Sequence, residues 1–351
     1  MSPGIVKRSW ILVGVLGCGT TTVATPTSAP IPPSTATAIP TPAAIPTPTP
    51  TPTASATPSA PAPSTAPPDM LLVPAGTFTM GVDRTGEEDE HPAHSVTLRA
   101  FYLDRTEVTN AAYAECVSAH ACARNDVHIA SRSHAGTDAE FGRPNQPVNG
   151  VMWSDAHAYC AFRGKRLPRE AEFERAVRDD DGRRYPWGNE PPTPERTAFG
   201  RALSMNPGHG TTDDVGSHPT GKGPYGHDDL AGNLWEWMED EYDPFAYTRD
   251  TASDGKPGTC AQIMTAQDKL RAEGKQGFTG SNPIPRECEH VLRGGAFNYD
   301  GPGLRSSNRV HHPGHYRLVM AGLRCAKDVE AAKPADSDSD QGNIPPDSSI
   351  R

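Results

Sequence analysis

Residues 292–304 read Leu-Arg-Gly-Gly-Ala-Phe-Asn-Tyr-Asp-Gly-Pro-Gly-Leu, with Ala231-Gly-Asn-Leu-Trp-Glu-Trp237 upstream and Gly322-Leu-Arg-Cys-Ala326 downstream. The quoted stretch contains no cysteine. Short strands are expected near 290–293 and 322–327, with turns dominating between them, because Gly and Pro punctuate the chain there. His311, His312 and His315 follow the stretch. His311 and His315 would share a metal only on a helix. Pro313 and Gly314 oppose a helix, so a solvated loop is expected.

Working outward, Met70-Leu-Leu-Val-Pro-Ala-Gly-Thr-Phe-Thr-Met-Gly81 alternates around a Pro-Ala-Gly turn, which predicts a hairpin. Ser95 to Leu103 alternates as one strand. Thr106-Glu-Val-Thr-Asn110 offers caps for a helix through about Val117. Residues 119–145 read as an irregular loop. A second helix is expected to be capped by Ser154 or Asp155, with Ala158 and Phe162 on one side and Tyr159 beside Cys160. A third has Pro168 at its first position and Phe173, Ala176 and Val177 as its apolar stripe. No internal repeat is evident. Few regular elements and many loops predict an irregular α+β domain over 70–327.

Five blocks, in order, resemble the formylglycine-generating enzyme family, also called sulfatase-modifying factors. They are Pro74-Ala-Gly-Thr-Phe-Thr-Met-Gly81, Thr106-Glu-Val-Thr-Asn110, Gly164-Lys-Arg-Leu-Pro168, Asn233-Leu-Trp-Glu-Trp237 and Arg293-Gly-Gly295. The resemblance implies a C-type-lectin-like fold. It also implies a structural Ca²⁺ bound through the carboxylates of Asp229 and Glu236 and the backbone carbonyls of Gly232 and Leu234, the hard oxygen donors that this ion takes. A second family calcium site loses its asparagine, which falls at Ala198. Catalytic members carry two copper-binding cysteines after the Gly-Gly. Here the matching positions are Tyr299 and Leu304, and Ala296 replaces a serine. Phenol and isobutyl groups do not supply the soft thiolates that Cu(I) takes, so copper is not expected.

The chain has 351 residues and seven cysteines. Trp10-Ile-Leu-Val-Gly-Val-Leu16 follows Lys7 and Arg8, which reads as a signal peptide too short to span a bilayer as a mature helix. Val15-Leu-Gly-Cys18 fits a bacterial lipobox, so residues 1–18 are expected to be a lipoprotein signal ending at the lipidated Cys18. Residues 19–69 are Pro/Thr-rich and unable to bury enough apolar area to fold; they read as a polyproline II spacer. Residues 328–351 form an acidic tail with the same expectation. The six remaining cysteines suggest disulfides, and six allow 15 pairings. Cys116 and Cys122 are close enough to clip a loop. The resemblance implies Cys160–Cys325, which leaves Cys260–Cys288. The formal charge of −10 and the lack of a basic stripe oppose nucleic-acid binding.

These features lead to a lipid-anchored domain displayed on a bacterial cell envelope, at the outer membrane or cell surface. Its expected role is non-catalytic binding or scaffolding of an envelope protein, peptide or glycan. Asn298, Tyr299, Asp300 and Arg305 form the candidate recognition surface, a polar and aromatic set on a scaffolded loop. The alternative expectation is an oxygen-dependent oxidoreductase of the same family with a different metal centre, placed at the histidine cluster.

Overall fold

The computed structural model describes residues 67–125, 138–202, 210–248, 253, 255–256, 258–274 and 287–330. The lipobox, residues 19–66 of the spacer, most of the acidic tail and part of the 119–145 loop lie outside the described residues. The last spacer residue, Asp69, already belongs to the domain, pairing with Lys165 at 2.5 Å. Among those described, no helix is long and apolar enough to cross a membrane.

The chain mixes helix and sheet. Strand β1 (Met70–Val73) buries its two ends, whereas β2 (Gly76–Met80) alternates as expected, and the two strands do not pair with each other. The strand foreseen over 95–103 is divided into β3 (His94–Leu98) and β4 (Phe101–Asp104). β2 pairs with β3, while β1 pairs with β4. The hairpin expectation therefore fails. Alternation sets which face a residue takes, but it does not select the partner strand. The burial of Leu98, Phe101 and Leu103 anchors both sides of the break.

Helix α1 (Asn110–Ser118) starts at Thr109, whose hydroxyl accepts from the Ala112 N–H at 3.1 Å. A short helix, α2, spans Asp138–Phe141. Helix α3 (Trp153–Phe162) is capped at Met152, two residues before the earlier of the expected caps, Ser154 and Asp155, with Asp155 accepting from the Met152 N–H at 3.2 Å. Its buried side is Ala156, Tyr159 and Cys160; Phe162 is exposed. Helix α4 (Glu170–Arg178) starts beyond Pro168, whose carbonyl instead accepts from the Glu239 N–H.

Strand β5 (Trp235–Glu241) is central to a four-stranded sheet. Helix α5 (Cys260–Ala272), which sequence periodicity did not reveal, lies between β5 and β6 (Glu289–Arg293). β7 (Val310–Pro313) and the two-residue β8 (Ala321–Gly322) complete the order β7-β6-β5-β8. β9 (Ala326–Asp328) pairs with β4. The domain thus runs one residue beyond the expected end at 327, because Asp328 is opposite Phe101 and pairs with Arg166 at 2.6 Å.

Two large apolar clusters and a small third one make the core among the described residues, and β5 supplies both large ones. Trp235 and Trp237 pack with Tyr113, Tyr159, Leu292 and Phe297. Met238 and Tyr242 pack with Phe78, Phe101, Phe173 and Val291. The disulfides are Cys116–Cys122, Cys160–Cys325 and Cys260–Cys288, the pairing expected from the sequence. Cys160–Cys325 ties α3 to the chain just before β9 within the first cluster.

Candidate functional site

After β6 the chain turns on Gly294 and Gly295, whose φ angles are +100° and +80°. A Cβ at Gly295 would lie 2.7 Å from the Gly303 carbonyl and against Leu304, so only glycine lets the chain double back here. The returning segment forms a single 3-10 turn, Gly301–Leu304. Backbone bonds fix its start: the Phe297 N–H donates to Asn233 and the Gly200 N–H to the Tyr299 carbonyl, at 2.9 and 2.7 Å.

The two positions matching the family's cysteines are filled by packing. Tyr299 meets Trp235 edge-on, with ring centroids 5.2 Å apart at 89°. Leu304 is buried with Tyr185 and Ala231. Of the four proposed recognition residues, Asp300 is exposed, while Asn298 and Tyr299 are half-buried. The Asn298 Oδ1 is buried and has no hydrogen-bond partner among the described residues. Arg305 is committed elsewhere. Its guanidinium holds Glu90 at 2.5 Å and the Pro302 carbonyl at 2.7 Å, and its side chain is only 12% exposed.

The residues flanking this surface form a buried ionic skeleton. Arg309 grips Glu170 through two hydrogen bonds of 2.6 and 2.8 Å and stacks over Tyr242 and Tyr247. Arg293 pairs with Glu174 and donates to the Ser306 and Ser307 carbonyls at 2.8 and 3.0 Å. Burial pushes the Glu174 carboxyl up, but Arg293 and Arg178 outweigh it and hold the group below its ordinary value. The Arg305-Ser-Ser-Asn-Arg309 stretch is therefore anchored into the core from both ends.

A second polar cluster surrounds Arg324. Its guanidinium donates to both Glu236 oxygens, at 2.6 and 2.7 Å, and to the Asp228 and Asp229 carbonyls, each at 3.1 Å. Glu107 accepts from Asn233 Nδ2 at 2.6 Å and from the Leu234 N–H at 2.9 Å. Burial pushes Glu107 well up, and the Asp229 and Glu236 charges add to the effect. Asp229 is raised chiefly by burial, while Arg324 works against the same burial effect at Glu236. Three buried carboxylates facing one guanidinium leave an excess of negative charge, and their hard oxygen donors fit a divalent cation. Gly232 (φ +82°) leaves room for no side chain, since a Cβ would collide with the Thr197 hydroxyl and the Ala198 carbonyl. The Ala198 carbonyl also accepts from the Asn233 N–H, so this position braces the loop although its methyl cannot ligate.

Of the histidine cluster only His315 stays exposed in a turn, as expected from the sequence; His311 and His312 do not. His311 and His312 lie on β7, where successive side chains take opposite faces. His311 is buried, stacks on Tyr242 at 3.8 Å, and bonds Glu289 at 2.5 Å through Nδ1. His312 stacks instead with Tyr316, and His315 meets Tyr316 edge-on. Pro313 and Gly314 do stop a helix here, but pairing with β6 captures the segment as a strand.

A cavity of about 370 Å³ is lined by Trp153, Arg169, Glu239, Asp240, Glu241, Lys256 and His290. Trp153 and His290 stack face to face at 4.0 Å and 10°. None of the four recognition residues lines it. Sequence reasoning missed this site because, apart from the consecutive Glu239, Asp240 and Glu241, its residues come from separate segments. Burial pushes Asp240 from 3.8 to about 7, with the Glu170 charge as the next cause. The folded state therefore keeps a proton that the unfolded chain releases. Stability from this group is lost as pH rises from about 4 to about 7 and does not return above that. Asp240→Asn removes the loss while keeping an acceptor for the Glu170 N–H. The variant is expected to gain about 2–4 kcal/mol over the parent at pH 8 and almost nothing at pH 4, read by urea denaturation at each pH.

A family model described as a sulfatase-modifying factor enzyme 1-like domain matches residues 55–329. A formylglycine-generating enzyme of Streptomyces coelicolor is 34% identical over 243 residues, which are 54% of this chain and 74% of that protein. A hercynine oxygenase of Mycolicibacterium thermoresistibile is 31% identical over 282 residues, 72% of this chain but only 57% of its relative. Among solved structures, PvdO from Pseudomonas aeruginosa aligns with a TM-score of 0.56 at 25% identity, covering 77% of this chain and 100% of that one.

Proposed function

The chain belongs to the sulfatase-modifying factor enzyme 1-like family, and from that premise we propose that it is a lipid-anchored, surface-displayed binding or scaffold domain that has lost the family's formylglycine chemistry. The observation that carries this reading is the filling of the thiol positions: Leu304 is buried in an apolar cluster and Tyr299 is packed against Trp235. A Cu(I) centre built from two thiolates has no donors there. On this reading the fold is C-type-lectin-like, and Cys18 carries lipid. The Pro/Thr-rich spacer then holds the domain away from a bacterial outer membrane or cell surface. The partner is an envelope protein, peptide or glycan that meets Asp300 and the half-buried Asn298 and Tyr299. Arg305 supports this surface through Glu90 more than it projects from it.

The second reading, an oxygen-dependent oxidoreductase with another metal centre, draws on the likeness to a hercynine oxygenase. The alternation of His311 and His312 across β7 weighs against the histidine cluster as that centre.

A structural Ca²⁺ would be held by Asp229 and Glu236 with the carbonyls of Gly232 and Leu234, and Glu107 would add its charge nearby. The ion would neutralise the carboxylate excess around Arg324. Metal analysis of the purified chain is expected to find calcium at about one equivalent, without stoichiometric copper or iron. Calcium is further expected to raise the melting temperature more at pH 8 than at pH 5. The ion must displace the protons that burial holds on Glu107 and Asp229, and these are fewer at high pH. Stoichiometric copper or iron would favour the oxidoreductase.

A further inference from the structure

The cavity beside β5 and β6 joins three kinds of surface that rarely coincide by packing alone. Its lining carries two cations, Arg169 and Lys256, and three carboxylates, Glu239, Asp240 and Glu241. The stacked pair of Trp153 and His290 adds a flat aromatic wall. Its volume of about 370 Å³ lies in the range of small-ligand sites and is too small for a folded partner.

The parts of this wall are held rigidly. The Trp153 indole donates to the Met238 carbonyl at 2.8 Å, and its backbone N–H donates to Gly314 at 2.9 Å. A Cβ added at Gly314 would press on the His290 ring at 2.9 Å, so the stack has no slack on that side. Asp240 is pinned by the Glu170 N–H at 2.7 Å. Burial keeps His290 down to about 4, which leaves its ring neutral at neutral pH. Two lining atoms are buried without a hydrogen-bond partner among the described residues: Nδ1 of His290 and Oε2 of Glu239. Buried polar atoms are usually satisfied, so these offer valence to a ligand.

A simple anion would meet repulsion from Glu239 and Glu241, and a simple cation would meet Arg169 and Lys256. A molecule carrying both charges close together satisfies both sets. We propose that this cavity binds a free α-amino acid-like zwitterion, its ammonium toward Glu239 and its neighbours, its carboxylate toward Arg169, and its side group on the Trp153–His290 wall. The site shares no residue with the 296–305 surface, so its failure would leave the function proposed above standing.

The test is calorimetric titration of the full chain with L-phenylalanine, L-tryptophan, N-acetyl-L-phenylalanine and L-phenylalanine methyl ester. The two free amino acids are expected to bind, and blocking either charged group weakens binding by about tenfold or more. Glu239→Gln and Arg169→Ala change partly exposed side chains and keep the fold, checked by melting temperature. Glu239→Gln is expected to weaken L-phenylalanine while hardly changing the N-acetyl form. Arg169→Ala is expected to weaken L-phenylalanine while hardly changing the methyl ester. Equal binding by a blocked form and its parent would overturn the proposal. So would binding that neither variant alters, or no binding by any of the four probes.

Discussion

Replacing Arg324 by methionine is expected to cost about 3–5 kcal/mol, the loss typical of stranding a buried charge by removing its partner. The side chain is fully buried, and it provides the guanidinium between Glu236 and the Asp228 and Asp229 carbonyls. Its removal leaves Glu107, Asp229 and Glu236 facing one another, with burial already pushing Glu107 well up. The comparison is Arg105→Ala. Arg105 also pairs with a carboxylate, the buried Asp228 at 2.8 Å, but the Arg105 side chain itself is 54% exposed and Lys222 still holds Asp228 at 3.2 Å once it is gone. Because Asp228 keeps Lys222 and only the solvent-facing partner is lost, this variant should cost about 1 kcal/mol and shift the urea midpoint only slightly. Measured in chelator, so that loss of the proposed calcium ligand Glu236 does not enter, the double variant Arg324→Met, Glu236→Leu should recover part of the loss, because an apolar pair replaces a stranded carboxylate. Equal costs for Arg324→Met and Arg105→Ala would show that burial does not set the energetics of this cluster.

Opening the Cys160–Cys325 bridge is the second large effect. The bridge closes a separation of 165 residues. The chain-entropy relation assigns about 5 kcal/mol to a loop of this size. The double variant Cys160→Ala, Cys325→Ala should therefore unfold at much lower denaturant than the parent. The Cys116–Cys122 bridge spans only 6 residues, so the same relation gives it a much smaller share, about 2 kcal/mol. Denaturation of both double variants under oxidising conditions tests the ratio. A larger loss from Cys116–Cys122 would contradict the loop-length argument. Both thiols of the long bridge are fully buried, so some packing loss adds to the entropic cost.

Much of the fold was legible because its signals are local or arrive as ordered blocks. Thr109 caps α1 through its own hydroxyl, and α4 shows its Phe173, Ala176 and Val177 stripe in the sequence. The disulfide pairing followed from the family resemblance and elimination. Strand partners were less accessible. Met70 to Gly81 alternates well enough to suggest a hairpin, yet β1 and β2 join different sheets because Leu98 and Phe101 bury on either side of a break. His311 was misread because Pro313 and Gly314 exclude a helix without excluding a strand paired to β6. Arg305 looked like a surface residue because its partner, Glu90, is 215 residues earlier in the chain. The cavity had no sequence signature for the same reason: Trp153, Asp240, Lys256 and His290 meet only after folding.

The central claim is that packing has replaced redox chemistry at positions 299 and 304. Oxygen consumption tests it most directly, using the full chain supplied with copper, a reductant and a cysteine-containing sulfatase peptide. The account predicts uptake no greater than copper and reductant give without the chain, and no aldehyde on the peptide by mass spectrometry. Copper-dependent oxygen uptake coupled to conversion of the peptide cysteine to formylglycine would contradict it.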